Sequence, residues 1–324
     1  MRPISLPDVP YDATAVRPNW SDLPKSVRNA ISLRLGGPII AARSAGGGFT
    51  RAFAAKITSQ AGVEVFVKAA PLRDPTSHWY AREAAITAAL PPGVTAARPR
   101  WTMTEAGWFV LCLEAVDGRI PTLPWSADDL NATLTSWSAA AAALAEPSPA
   151  LLAVGLPALP EILRTEMSWW SQIAAGREPM PFTAHDTVAS SHLAELAALE
   201  QALPTLAAGT SMSHGDLRLD NVLIDADGHA WLCDWTWPCL GAPWFDTVTL
   251  LVSAYASGLD TDTPLRDRDA PDAGVDGALA ALSGYWLVRA ADGPSSASPH
   301  SRQHQRFSGT QALAWLAERR GWAR

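Results

Sequence analysis

Between residues 38 and 113 the apolar positions fall in short runs separated by glycine, proline and polar residues. The runs at 38–44, 51–58, 63–70, 98–103 and 108–113 have the length and the branched or aromatic content of strands. Between the third and the fourth the pattern lengthens. Trp79, Ile86 and Leu90 form a helical stripe over 76–90, which stops at Pro91-Pro92-Gly93. After Trp125 helical spacing dominates, at 126–145, 160–175, 187–207, 244–257, 276–290 and 309–320. One compact strand–turn–strand interrupts it at 221–234. Strands followed by helices predict an α+β protein with a small β-rich lobe at 1–113, a hinge at 114–118 and a larger helical lobe at 119–324. Within the first lobe, residues 1–30 are Pro-rich and polar and read as a lead-in with a short helix. Two polar stretches read as mobile loops: 258–277, with six aspartates, and 292–305, rich in Ser, Pro, His and Gln.

Composition sharpens this picture in three ways. At 324 residues, with 48% hydrophobic and 18% charged positions, the chain can build a large core and suits two packed lobes. A formal net charge of −7 argues against nucleic acid or an anionic membrane as a partner. Residues 1–10 lack the apolar stretch of a secretory signal, and the Ala-rich stretch 138–163 is broken by Glu146, Pro147, Pro149, Pro157 and Pro160. Cys112, Cys233 and Cys239 match no zinc or CxxC spacing. A cytoplasmic protein with reduced thiols is expected.

The candidate chemistry lies in a few charged residues at apolar positions. Lysine occurs only at Lys25, Lys56 and Lys68, and Lys68 sits inside the strand-like run Val65-Phe66-Val67-Lys68-Ala69-Ala70. Glu83 falls on the apolar stripe of the helix at 76–90. Either charge alone would be costly to bury, so a Lys68–Glu83 ion pair is expected. Gly46-Gly47-Gly48 joins two strands and leaves backbone N–H groups free to cover phosphates. The segment from Ser213 to Asp234 is the most specific. With Asp227-Gly228 as a two-residue turn, 224 faces 231 and Asn221 faces Asp234. Facing side chains lie roughly 5 Å apart at Cβ, close enough for an amide oxygen and a carboxylate to share a hard cation such as Mg²⁺. Asp216 could accept a proton from a hydroxyl, and Arg218 could neutralise a transferring phosphoryl group.

A Gly-rich turn, a strand Lys, a helix Glu, a linker, His214-x-Asp216-x4-Asn221 and a hairpin-end Asp, in that order, resemble the protein-kinase-like fold. His214-Gly215-Asp216, Asp234-Trp235 and the later Trp244-Phe245-Asp246 resemble its aminoglycoside phosphotransferase branch, over roughly residues 37–320. The resemblance implies ATP, with GTP left open, Mg²⁺, and transfer of the γ-phosphoryl group to a hydroxyl of a small molecule, an aminoglycoside or another metabolite. By it Asp216 is the catalytic base, Asn221 and Asp234 bind the metal, and Lys68, held by Glu83, meets the α- and β-phosphates. The linker would offer backbone groups of Glu114 and Val116 to adenine, and Arg218 stands where protein kinases carry a lysine. Three consecutive glycines replace GxGxxG, and only residues 235–244 separate Asp234 from the next helix. Both departures argue for a small-molecule kinase over a protein kinase. A catalytically silent nucleotide-binding or scaffolding member, the alternative, would lack one of Lys68, Asp216, Asn221 or Asp234. All four are present.

Overall fold

The structure, a computed structural model, describes residues 3–181, 186–295 and 298–322. A 3-10 turn at Trp20–Asp22 leads into α1 (Lys25–Arg34). Strands β1 (Ile39–Ser44), β2 (Phe53–Ser59) and β3 (Glu64–Pro71) follow, then α2 (Thr76–Ala89), β4 (Pro99–Glu105) and β5 (Trp108–Glu114). The strands form one antiparallel sheet in the order β1-β2-β3-β5-β4. These elements lie close to where hydrophobic spacing placed them. Val27 and Ile31 of α1 pack on Phe53, Ala55, Ile57, Val65 and Val67, filling one face of the sheet. Side chains alternate along a strand, so Lys68 projects from the opposite face to Val67 and Ala69. That face is the one covered by α2.

Arg98 ties α2 to β5. Its guanidinium donates to the carbonyls of Thr87, Leu90, Pro91 and Val94 at 2.8–3.1 Å. Carbonyls at a helix C-terminus have no partner within the helix, and Arg98 supplies one. Its backbone exchanges hydrogen bonds with Glu114, the last residue of β5: the Arg98 N–H donates to Oε2 at 3.0 Å and the Glu114 N–H donates to the Arg98 carbonyl at 2.9 Å.

Beyond β5 the chain forms β6 (Gly118–Arg119), α3 (Ala127–Ala143), α4 (Pro149–Leu152), α5 (Leu159–Glu166), α6 (Trp169–Ala174), α7 (Asp186–Ser191) and α8 (Leu193–Leu206). Short strands β7 (Met212–Ser213), β8 (Val222–Asp225), β9 (Ala230–Leu232) and β10 (Cys239–Leu240) precede α9 (Trp244–Ala256), α10 (Asp262–Arg266), α11 (Asp272–Ala291) and α12 (Ser301–Arg320). Strands β6, β8 and β9 make a three-stranded sheet, and β7 pairs with β10. Indole groups knit this lobe together. Trp137 of α3 is fully buried and donates to the Thr247 hydroxyl of α9 at 3.1 Å. Trp170 of α6 donates to the Ala280 carbonyl of α11 at 2.8 Å.

Several expectations need correction. The helices expected at 160–175 and at 187–207 are each two helices, the second pair parting at His192. Glu200 of α8 accepts the N–H groups of Trp170 and Ser171 at 3.1 and 2.8 Å and so caps a fresh start at α6. The aspartate-rich stretch is mostly helical rather than a loop. Asp260 accepts the Asp262 N–H at the start of α10, and Arg319 of α12 binds Asp272 and Asp276 at 3.0 and 2.6 Å. The second polar stretch already belongs to α12 from Ser301, although residues 296 and 297 lie outside the described residues. The lead-in also reaches further than its composition implied. The Ser5 N–H donates to the Ala256 carbonyl at 2.8 Å, and Ser298 donates to the Thr14 carbonyl at 2.6 Å. Among the described residues no helix is long and apolar enough to cross a membrane.

Replacing Trp137 by Ala should destabilise the protein by about 3–5 kcal/mol, because it opens a cavity and strands the Thr247 hydroxyl. Urea unfolding checks this, with a midpoint that falls at unchanged m-value.

Candidate active site

A cleft of about 360 Å³ opens between the lobes. Ala54 and Phe66 line it on the sheet side, Leu223 and Leu232 on the helical side, and Leu113, Glu114 and Val116 along the connecting segment. These residues make a slot with mostly apolar walls, suited to a flat ring. Lys68, Glu83, Asn221, Asp234 and Gly46–48 line the rest. Asp216 and Arg218 do not line this cleft; they stand next to it, in contact with Asn221 and Asp220, which do.

Lys68 and Glu83 form the expected pair, with Nζ at 2.7 Å from both carboxylate oxygens. Both side chains are largely buried, and the Lys68 ammonium lies 5.4 Å from the Tyr80 ring centroid. Burial by itself would discharge the lysine. The Glu83 carboxylate, helped by Asp234, outweighs it and holds the Lys68 pKa above the ordinary lysine value.

The loop carrying Asp216 hangs from α9. Asp246, fully buried in the first turn of that helix, accepts the N–H groups of His214 at 2.7 Å and Gly215 at 3.1 Å. Gly215 has φ +81°, and a Cβ there would sit 2.0 Å from the Trp237 carbonyl oxygen. No other residue type fits. The His214 ring is buried. Its Nε2–H donates to the Cys233 carbonyl at 2.9 Å, and its Nδ1 accepts the Asp216 N–H at 3.3 Å. Burial lowers its pKa to about 4, so the ring is neutral and positions Asp216 without exchanging protons.

Asp216 is gripped on both oxygens. Oδ2 accepts from the Asn221 amide at 3.1 Å, and Oδ1 lies 3.2 Å from Arg218 Nη1. Burial raises its pKa to about 7, against the pull of Arg218 and with added push from Asp220 and Asp234. Arg218 also forks onto Asp220, with both contacts at 3.2 Å. Burial opposes the Arg218 charge, and the two carboxylates more than offset it, so its pKa stays above the ordinary arginine value.

Asn221 and Asp234 meet in the cleft by a different route from the one expected. Val222 pairs with Leu232, Leu223 with Trp231 and Ile224 with Ala230, one residue out of the anticipated register. The Asp225 carboxylate accepts the N–H groups of Asp227 and His229 at 3.0 and 2.8 Å and draws a third residue into the turn. The loop is therefore 226–228, with Gly228 left-handed at φ +82°. Asn221 accordingly lies opposite Cys233, whose N–H donates to its carbonyl at 2.8 Å. Asp234 stands one residue past the ladder at φ +59°, a left-handed conformation uncommon outside glycine. That backbone twist and the 3-10 turn Leu219–Asn221 bring both side chains to the cleft.

The donor set fits a hard cation. The Asn221 amide nitrogen is engaged by Asp216, which leaves its oxygen as the ligand atom. One oxygen of Asp234 accepts from Thr236, leaving the other for a metal. Burial alone would raise the Asp234 pKa, but Lys68 above all holds it below the usual carboxylate range. An ionised carboxylate and an amide oxygen suit Mg²⁺.

The glycine turn sits under the lead-in segment. A Cβ at Gly46 would lie 1.9 Å from the Asp12 carbonyl oxygen, and one at Gly47 would lie 2.4 Å from Ile120 Cδ1. These glycines therefore admit a crossing chain as well as lining the cleft. Asp12 and Arg17 join the cleft from that segment. Sequence spacing gave no hint of either, because they lie some thirty residues upstream and meet the turn only through the tertiary fold.

Gly215 and Gly228 separate strain from clash. Both have positive φ, but nothing lies within 4 Å of a Cβ at Gly228. Gly228→Ala should destabilise by roughly 1 kcal/mol, the ordinary left-handed penalty. Gly215→Ala should cost clearly more, because the Trp237 backbone must move. Equal urea midpoints for the two variants would remove the close approach as the reason for this glycine.

The sequence profile of the phosphotransferase enzyme family (APH) matches residues 42–290. No curated protein sequence matches significantly. Among solved structures, an aminoglycoside 2'-phosphotransferase-IIIa mutant in complex with GDP superposes with TM-score 0.62 at 15% identity, covering 92% of this chain and 98% of that one. A thermostable mutant of aminoglycoside phosphotransferase APH(4)-Ia, in ternary complex with AMP-PNP and hygromycin B, gives 0.58 at 12% identity, over 93% and 100%. The macrolide 2'-phosphotransferase MphH from Brachybacterium faecium gives 0.54 at 17% identity, over 86% and 96%. At such identities the structural likeness is one of fold. The family match spans most of the chain, and with the bilobal kinase-like architecture it places this protein in the APH phosphotransferase enzyme family.

Proposed function

We propose that the protein transfers the γ-phosphoryl group of ATP to a hydroxyl of a small molecule, with Asp216 as the base. The observation that carries this reading is the arrangement around Asp216. Its carboxylate is oriented by Asn221 and Arg218, beside a cleft that holds Lys68, Glu83 and Asp234. Adenine would occupy the apolar slot against Leu113 to Val116, where the 114–118 segment acts as the hinge. Lys68, fixed by Glu83, would meet the α- and β-phosphates, and the glycine turn would cover them. Asn221 and Asp234 would hold Mg²⁺, which when bound neutralises charge on the phosphates. Asp216 would orient the acceptor hydroxyl and accept its proton, and Arg218 would face the developing negative charge. Such chemistry relies on positioning and charge stabilisation more than on covalent steps.

Solved structures of this fold hold GDP, GDP with kanamycin, or AMP-PNP with hygromycin B, which supports a nucleotide donor and a hydroxylated small molecule as acceptor. The aspartates of 260–276 do not argue for a polycationic acceptor. Asp272 and Asp276 lie against Arg319, Asp276 also against Arg320, and Asp260 accepts an N–H group at the start of α10.

Two variants test the reading. Asp216→Asn should lower turnover by roughly 10²–10⁴-fold while the thermal shift caused by ATP survives. Asp234→Ala should abolish the Mg²⁺-dependent part of that shift. GTP run in parallel settles the donor. An Asp216→Asn protein with full turnover would sink the assignment; a wild-type protein that binds nucleotide but consumes none with a panel of hydroxylated acceptors would favour the silent nucleotide-binding member.

A further inference from the structure

A nucleoside triphosphate brings several negative charges into its cleft, and two of the four cations lining this one are already ion-paired. Lys68 is paired with Glu83. Lys56 lies 3.1 Å from Glu64 and 3.4 Å from Asp117. Just outside, Arg218 is held by Asp216 and Asp220. Arg43 lines the cleft from a solvent-exposed position. Arg17 differs from all of these. It is half-buried at the glycine turn, and every hydrogen bond it makes goes to a neutral oxygen. Nη1 donates to the Thr50 hydroxyl at 3.0 Å and to the Ala52 carbonyl at 2.9 Å; Nη2 donates to the Gly47 carbonyl at 3.1 Å. Among the described residues no carboxylate forms an ion pair with it, and its Nε is buried without a partner.

The surroundings strengthen the point. Arg17 Nη2 lies 3.0 Å from where a Cβ on Gly48 would sit, so its guanidinium rests against the glycine turn that lines the cleft. The Tyr80 hydroxyl is likewise buried without a partner, and Tyr80 lies within electrostatic reach of both Lys68 and Arg17. A half-buried guanidinium bonded only to neutral oxygens keeps its charge and its Nε–H uncommitted to a carboxylate, and an anion beside it would satisfy both. Arg17 is also pre-positioned. The lead-in that carries it is pinned by the Ala15 N–H to Gly46 at 2.7 Å and by Thr14 to Gly48 at 3.0 Å.

We propose that Arg17 is a phosphate-binding residue of the donor site, delivered from outside the strand–helix core by the N-terminal lead-in. The proposal rests on the nucleotide phosphotransferase reading and adds to it a ligand contact from a segment upstream of the family match, which begins at residue 42. The lead-in would then be part of the donor site, and a protein trimmed of it would keep its purine slot but hold phosphates poorly.

Calorimetric titration of the full-length protein with adenosine, ADP, ATP and inorganic tripolyphosphate, in the presence of Mg²⁺, tests this. Arg17→Gln should weaken ATP, ADP and tripolyphosphate by roughly tenfold, the scale of one charge-assisted hydrogen bond, and leave adenosine within about twofold. Arg17→Lys should recover part of the loss, since it keeps the charge without the fork. Ser298→Ala, which removes one bond to the lead-in but leaves Thr14 and Ala15 pinned to the glycine turn, should lower the ratio of ATP to adenosine affinity by less than Arg17→Gln does. If Arg17→Gln weakens adenosine and ATP by the same factor, or weakens neither, Arg17 is a structural pin and the proposal is wrong. A wild-type protein that binds none of the nucleotides overturns the phosphotransferase reading together with it, whereas wild-type binding with no phosphate-dependent loss in the variant overturns this proposal alone.

Discussion

The Asp246 carboxylate, buried in the first turn of α9, accepts the backbone N–H groups of His214 and Gly215, and the loop that carries Asp216 takes its shape from that anchor. Burial pushes its pKa up to about 7, while the N–H groups pull the other way. With these two amides fixed, the chain at Gly215 must pass against the Trp237 backbone, which only a glycine permits. His214 is then clamped between the Cys233 carbonyl and the Asp216 N–H. Asp216 inherits its place from this chain of contacts. A rigid helix thus sets the position of a loop side chain without that side chain packing against the helix itself.

Around this anchor the charges are arranged in tiers. Lys68 is held by Glu83 deep in the cleft, and Arg218 is divided between Asp216 and Asp220 at its edge. A buried ion pair is weak evidence for stability, because desolvation offsets most of its attraction. The Lys68–Glu83 pair is better understood by its location, on the face of β3 that α2 covers, next to the carboxylate of Asp234. The walls of the slot are small or apolar, which keeps the local dielectric low and lets each fixed charge act strongly.

The ends of the chain also shape the cleft. Tyr11 donates to His304 Nδ1 at 2.9 Å, and Phe49 of the glycine turn packs on the same imidazole with ring centroids 4.9 Å apart. Burial lowers the His304 pKa to about 3, so the ring is a neutral spacer between the lead-in and α12. The Arg218 guanidinium lies 5.7 Å from the Phe49 ring centroid, which joins the glycine turn to the loop that carries Asp216. The two lobes therefore meet through aromatic contacts as well as through the segment connecting β5 to β6.

Local chemistry was legible in the sequence. Strand-length runs, one apolar helical stripe broken by Pro91-Pro92-Gly93, and a lysine and a glutamate at apolar positions marked the sheet, α2 and the pair that joins them, because each depends on neighbours a few residues away. The identities at Asp216, Asn221 and Asp234 were legible for the same reason, as a short motif beside a turn. What the sequence could not determine was anything resting on the exact path of the backbone. The Asp225 side chain added a residue to the hairpin turn, which shifted the register and left a 3-10 turn and a left-handed Asp234 to bring the cleft residues together. The aspartates of α10 and α11 looked like a solvated loop until Arg319 arrived from another helix. The lead-in over the glycine turn has no periodic signal at all: its place is decided by single hydrogen bonds to residues distant in sequence, and only the folded chain brings those donors and acceptors within reach.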